Sequence, residues 1–206
     1  MKLLQLSKPH MLIMVGIAGS GKSFFAEKFA DTFQAPLISD NQLGRHLADF
    51  GLHSSESDHL LKKLTDLQLN ELLKTGRTII LDIDSDTTSD RALLATKARK
   101  NNYETLIIWV QTDQVTAIDR VVKPSKQATS RVMNKDQYER HLKRFMPPTS
   151  TENTVVVSGR HTYATQAKVV LKKLSGPRAE NAKIQTVPSR EVIKQTTPAR
   201  RNITIR

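Results

Sequence analysis

The chain has 206 residues, with 32 Lys+Arg against 20 Asp+Glu, a net charge of +12 and no cysteine. That length allows one domain with a full core, or a domain followed by a tail. The lack of cysteine excludes disulfides, zinc–thiolate centres and thiol nucleophiles and fits a reducing cytosol, so any site must be built from oxygen and nitrogen groups, while the basic balance favours anionic partners such as nucleic acid.

The N-terminal residues MKLLQLSKPH have the charge of a short signal peptide, but the apolar stretch after them runs on without a small-residue cleavage site. No stretch approaches membrane-spanning length, which leads to the expectation of a soluble cytoplasmic protein with no membrane partner. The first strand is expected near 11–15. It runs into Gly16, Ile17, Ala18, Gly19, Ser20, Gly21, Lys22 and Ser23, the G-x-x-x-x-G-K-S pattern of a phosphate-binding P-loop. Glycines at this spacing let backbone N–H groups close around phosphate oxygens, where bulkier side chains would block the approach. Lys22 is placed to reach the β- and γ-phosphates of ATP, and the Ser23 hydroxyl to ligate Mg²⁺. Phe25, Phe29 and Ala30 alternate with Glu27, Lys28 and Asp31 at helical spacing, so a helix near 22–33 should point its positive end at the same phosphates.

A second strand near 36–39 ends at Asp40. Its carboxylate has two readings: a base that takes a proton from an acceptor hydroxyl, or the N-cap of a helix starting at Asn41. A helix near 58–75 follows, and the six histidines show no paired metal-ligand spacing, His53 and His59 being six apart. The strand near 77–83 contains the apolar run Thr78–Leu81 closed by Asp82, a second Mg²⁺ ligand candidate. Asp84 and Asp86 follow at strand period, so all three carboxylates share a face if the strand continues. Asp82-x-Asp84 also matches the opening of aspartyl-phosphate phosphatases, but here it sits mid-domain behind a P-loop; a capping or turn role suits Asp84 and Asp86 better.

Further elements are expected as a helix near 88–101, a strand near 104–110 with Trp109 in the core, and a helix near 112–122 carrying Arg120. Arg120, Lys123, Lys126, Arg131 and Lys135 make a basic stretch, readable as a mobile lid over the triphosphate or as a solvated loop. A helix near 135–145, a strand near 153–157 and a helix near 162–174 complete the pattern. Strands alternating with helices give an α/β fold: a P-loop NTPase three-layer sandwich around a mostly parallel five-stranded sheet, residues 1–174. Residues 175–206 have scattered prolines, few large apolar residues, and seven basic against two acidic side chains. They are expected as a disordered basic tail, either a solubilising appendage or a nucleic-acid arm.

The series GIAGSGKS, Ile38-Ser39-Asp40, Ile80-Leu81-Asp82 with Arg91 nine positions on, Tyr103-Glu104, Asp119-Arg120, Tyr138-Glu139-Arg140, Phe145-Met146-Pro147-Pro148 and Glu152 resembles the P-loop kinase family. That family contains polynucleotide 5′-kinase and the zeta-toxin-like and gluconate-type kinases, with an AAA-type P-loop domain. The resemblance covers about residues 11–174. It implies a kinase that moves the γ-phosphate of ATP to an acceptor hydroxyl, with Lys22 and Ser23 on phosphates and magnesium, Asp40 as the base, and Arg120 and Arg131 as lid arginines. A nucleic-acid 5′-hydroxyl is one acceptor it allows, reached through the basic lid and tail, and a small metabolite is another. Leu43 stands where polynucleotide kinases carry an arginine, the nearest being Arg45, and Ile83-Asp84-Ser85 replaces their polar Asn-Thr-Asn. The reading from another class is a non-catalytic, ATP-dependent module that binds RNA or a partner. No guanine-specifying Asn-Lys-x-Asp tetrapeptide is present, which favours ATP over GTP.

Overall fold

A computed structural model of the protein describes residues 2–49, 55–123, 133–176 and 183–186. In chain order the elements are β1 (Lys2–Gln5), β2 (His10–Val15), α1 (Lys22–Phe33), β3 (Leu37–Ser39), α2 (Asp40–Asp49), α3 (Ser55–Leu73) and β4 (Ile79–Asp82). Then follow α4 (Thr88–Lys100), β5 (Glu104–Gln111), α5 (Gln114–Val122), α6 (Lys135–Arg144), β6 (Thr154–Ser158), α7 (Tyr163–Leu174) and β7 (Lys183–Thr186).

The main sheet has five strands in the order β3-β4-β2-β5-β6, and every pairing is parallel. Parallel strands need covered faces, and alternation along β2 sends its side chains to both. Leu12 and Met14 pack with Phe25, Phe29 and Phe33 of α1 and with Val170 and Leu174 of α7. Met11, Ile13 and Val15 pack on the other face with Leu69 and Leu73 of α3 and Ala98 of α4. Phe25, Phe29 and Phe33 recur every four residues, so they fall on one stripe of α1, with successive ring centroids 5.3 and 4.6 Å apart. The expected three-layer α/β sandwich is thus the fold observed, with Trp109 packed against the second core face.

Three features depart from the local sequence pattern. Asp40–Asp49 is a full helix, α2, where the apolar period shows none and only the capping reading of Asp40 points to one. The strand β4 stops at Asp82, so Asp84 and Asp86 do not extend it and the shared face of three carboxylates does not form. Within the segment expected as a tail, β7 pairs antiparallel with β1, Leu3 lying opposite Gln185. No helix among the described residues is long and apolar enough to cross a membrane.

Because all five strands run the same way, the segments leaving their C-terminal ends meet along one edge, where open parallel sheets bind ligands. β2 lies directly beside β4, with Ile13 opposite Leu81, so the residues after Val15 and the Asp82 carboxylate emerge side by side.

Candidate nucleotide and acceptor site

The P-loop is a built cradle. Residues Gly16–Gly21 leave β2 and turn into α1, whose N-cap, Gly21, makes no side-chain capping bond; the first N–H groups of the helix are therefore left for an anion. A second layer holds the loop in shape. Ala18 packs with Ala117 and Val121 of α5 and Tyr138 of α6. Thr112 donates its hydroxyl to the Ser20 carbonyl at 3.0 Å. The turn after β6 presses in from the other side, where a Cβ on Gly159 would lie 2.0 Å from that same carbonyl. Only glycine fits there, and the sequence pattern did not single it out.

Gly19 shows how tight the cradle is. Its φ is +77°, and an added Cβ would lie 2.1 Å from the Ala117 carbonyl oxygen. Gly19→Ala is therefore expected to push the loop off α5 and weaken nucleotide binding by about 1–3 kcal/mol, the usual scale of backbone strain at such sites. Titration with a fluorescent ATP analogue checks this; affinity within twofold of the wild type would show that the loop tolerates the shift.

Lys22 curls back over the loop, its Nζ donating to the carbonyls of Gly16 at 2.5 Å and Ile17 at 3.1 Å. Burial pushes its pKa down, while the carboxylates of Asp82, Asp86 and Asp84 push the other way. Ser23 is buried, and its hydroxyl oxygen accepts from Asn41 Nδ2 at 3.1 Å. Asp82, only 4 % exposed, accepts from the Ser39 hydroxyl at 3.2 Å. Ser23 and Asp82 line the same cleft as Lys22. A hydroxyl and a carboxylate are the hard oxygen donors that suit Mg²⁺, which keeps most of its waters and needs few protein ligands. The residues present therefore fit a magnesium–nucleotide.

Asp40 is the first residue of α2. The capping contact belongs to Ser39, whose Oγ accepts from the Gln42 N–H at 3.4 Å. The Asp40 carboxylate instead accepts from the Thr65 hydroxyl of α3 at 2.8 Å and from the Asp84 N–H at 2.9 Å. Burial raises its pKa, and these two bonds only partly offset the effect. It lines the same cleft as the P-loop.

Arg120 reaches over the P-loop and donates to the carbonyls of Gly19 and Gly159, each at 3.3 Å. Arg131 and Lys126 lie outside the described residues. Lys123 is exposed after α5, and Lys135 opens α6. Asp84 and Asp86 do not cap: α4 is capped by Thr87 in a reciprocal pair with Asp90. Their carboxylates pair instead with α6, Asp86 with His141 and both with Arg144.

The cleft measures about 2880 Å³ and, besides the P-loop, is lined by residues of α2, α3, α4 and α6. Single small-molecule sites are usually about 300–1,000 Å³, so there is space for a nucleotide and a second substrate end to end. Beyond the P-loop residues the lining includes Arg45, Lys62, Lys97, Lys100 and Arg140 among acidic and leucine side chains.

Comparison with known proteins agrees with this architecture. No curated protein sequence matches the chain. Among solved structures, a gluconokinase from Sinorhizobium meliloti superposes with a TM-score of 0.60 at 19 % identity, covering 84 % of this chain and 95 % of that one. Kti12 from Chaetomium thermophilum, in complex with ADP-AlF3, gives 0.59 at 18 % identity over 79 % and 96 %. The APS kinase of Mycobacterium tuberculosis, in complex with AMPPNP and APS, gives 0.57 at 14 % identity over 82 % and 98 %. At these identities the likeness is one of fold. The AAA domain profile matches residues 11–148, a span that includes the P-loop, Asp40, Asp82 and Arg120, and the chain belongs to the AAA domain family.

Proposed function

We propose that the protein is an ATP-dependent kinase that transfers the γ-phosphate to a hydroxyl of an acceptor bound in the far part of the cleft. The observation that carries this reading is Asp40: a carboxylate without a capping role, fixed by Thr65 and the Asp84 N–H, opening on the same cleft as the P-loop lysine. A mere nucleotide-binding module has no need of a base anchored there. In this reading the Gly16–Ser23 backbone cradles the phosphates and Lys22 swings from its own loop carbonyls to phosphate oxygens. Ser23 and Asp82 would hold Mg²⁺, Asp82 through water, and the metal would neutralise phosphate charge. Asp40, whose pKa burial raises from its ordinary value, takes the acceptor proton. Arg120, placed over the P-loop, neutralises charge on the transferred group, and Arg131 is proposed for the same task.

For the acceptor, cations on three separate helices, Lys62 of α3, Lys100 of α4 and Arg140 of α6, favour an anionic molecule, of which a nucleic-acid 5′ end is one form. A small-molecule kinase is the second reading, favoured by the fold likeness to a gluconokinase and an APS kinase.

The test is transfer of labelled γ-phosphate from ATP to 5′-hydroxyl DNA and RNA oligonucleotides, beside a pool of metabolites. Asp40→Asn is expected to leave ATP affinity within twofold and to slow transfer about 100-fold, the lower end of what a general base contributes. Label on oligonucleotides supports the nucleic-acid acceptor; label only among metabolites moves the answer to the small-molecule kinase. ATP binding with no transfer to anything offered would overturn the kinase reading.

A further inference from the structure

The loop after β4 joins the two walls of the cleft. Toward α2 and α3, its Asp84 N–H donates to Asp40 Oδ2 at 2.9 Å, while Thr65 holds Oδ1 at 2.8 Å. Toward α6, the same loop is clamped by a helix turn. His141 Nδ1 lies 2.6 Å from Asp86 Oδ2, and Arg144 donates to the Asp84 carboxylate and, at 3.4 Å, to that of Asp86. The chain leaving α6 adds a backbone bond, Met146 N–H to the Asp86 carbonyl at 2.9 Å.

These contacts are not surface decoration. Asp86 is only 4 % exposed, and a buried carboxylate is costly unless it is paired. Burial alone would push the Asp86 pKa up, yet His141, with help from Lys22 and Arg144, holds it below the usual carboxylate value. The loop is therefore fixed in place by α6, and through the Asp84 amide it fixes one oxygen of Asp40. A carboxylate bonded on both oxygens, by α3 on one and by the loop on the other, has its plane set. Freed on one side, it can turn about χ2, a broad and weakly restrained torsion.

We propose that His141 and Arg144 are positioning residues for phosphoryl transfer: they clamp the Asp84–Asp86 loop so that the Asp84 amide aims the Asp40 carboxylate at the acceptor hydroxyl. This rests on the reading of Asp40 as the base. Among the described contacts neither residue bonds to the P-loop, which α6 reaches through Tyr138 instead, so the clamp is expected to bear on the chemical step more than on nucleotide binding. A misplacement of about 1 Å at a reacting group can cost 100-fold in rate, which sets the scale.

The variant His141→Ala/Arg144→Ala tests this in the full chain; both side chains are partly exposed, 21 % and 51 %, but their loss leaves the buried Asp86 carboxylate without these partners, so a thermal melt checks that the variant is folded, and Arg144→Ala, which keeps the His141–Asp86 pair, is measured beside it. The expected result is a kcat lowered 10- to 100-fold, with the KM for ATP within twofold. His141→Asn, whose amide nitrogen can stand near the place of Nδ1, should recover most of the part lost in His141→Ala. A purely structural role would not give that split or that rescue. The second readout needs no turnover: hydrogen exchange at the Asp84 amide should quicken tenfold or more in the double variant, and likewise in Asp40→Ala, which removes the acceptor. Unchanged kcat, or unchanged Asp84 exchange, overturns the clamp. If the wild-type protein transfers phosphate to nothing, the kinase reading has failed, and the exchange experiment still decides whether α6 sets the Asp84 amide.

Discussion

Lys22→Ala is expected to lower phosphoryl transfer by about 1,000-fold or more, the range in which a single cation on the transferring phosphoryl group acts. The side chain is well placed for that effect because it is already committed to the loop. Its ammonium rests on the Gly16 and Ile17 carbonyls, in the field of Asp82, Asp84 and Asp86. Burial opposes its charge and the three carboxylates favour it, so a phosphate arriving in the cradle meets a cation that is desolvated before it binds. Little reorganisation is then needed when charge moves onto the leaving oxygen. Lys22→Arg sharpens the test. A guanidinium is a planar fork, not a compact point charge, and does not fit between two carbonyls 2.5 and 3.1 Å from a single nitrogen; it should rescue ATP binding more than transfer. Steady-state transfer with a separate ATP titration measures both. Transfer by Lys22→Ala within tenfold of the wild type would remove Lys22 from the chemistry.

What the sequence made legible has a physical pattern. The P-loop was readable because its chemistry is local: strand, glycine turn, lysine and helix follow within thirteen residues, and each imposes a composition. The buried parallel strands were readable because both faces are covered, which makes runs such as Ile79–Leu81 wholly apolar. α2 escaped because DNQLGRHLAD offers only two leucines and an alanine around a glycine, too thin a stripe to show a period. Asp84 and Asp86 look like turn residues locally, and short acidic side chains do favour turns; distant partners on α6, some sixty positions on, outweighed that preference. Gly159 carries no motif at all. Its necessity lies in the closeness of Ser20, nearly 140 positions earlier in the chain. Pairing across such separations leaves no trace in a single sequence, which is why the P-loop was readable and the rest of the cleft was not.

Arg91 shows the same limit and carries the largest expected effect on stability. It is 1 % exposed, and its guanidinium makes a bidentate pair with Glu152, Nε to Oε1 at 2.6 Å and Nη2 to Oε2 at 3.2 Å. The remaining N–H groups reach the carbonyls of Ser85, Asp86 and Met146 at 3.0–3.2 Å, and that of Pro147 at 3.4 Å. One side chain of α4 thus ties the loop after β4 to the chain between α6 and β6. Truncating one partner of a buried pair leaves the other charge uncompensated, at about 3–5 kcal/mol. Arg91→Ala is expected to lose that much, and a domain of this size drops about 2–4 °C in Tm per kcal/mol. Burial would push the Glu152 carboxyl up, but the Arg91 guanidinium and the Thr149 N–H hold it below its ordinary value of 4.5. A depressed carboxylate stabilises the fold above its unfolded pKa and loses that contribution as pH falls, so wild-type stability should decline below about pH 4.5 through this pair. In Arg91→Ala that component should shrink to what the Thr149 bonds still supply. Arg91→Met/Glu152→Leu, which removes both charges and keeps apolar bulk, should be less damaged than Arg91→Met alone, because no charge is left buried without a partner. Thermal melts of the four proteins from about pH 3 to 7 decide the matter. A single variant melting within 2 °C of the wild type would mean that the guanidinium fills space but does not hold the two loops together, and the clamp of α6 on the Asp84–Asp86 loop would then stand on His141 and Arg144 alone.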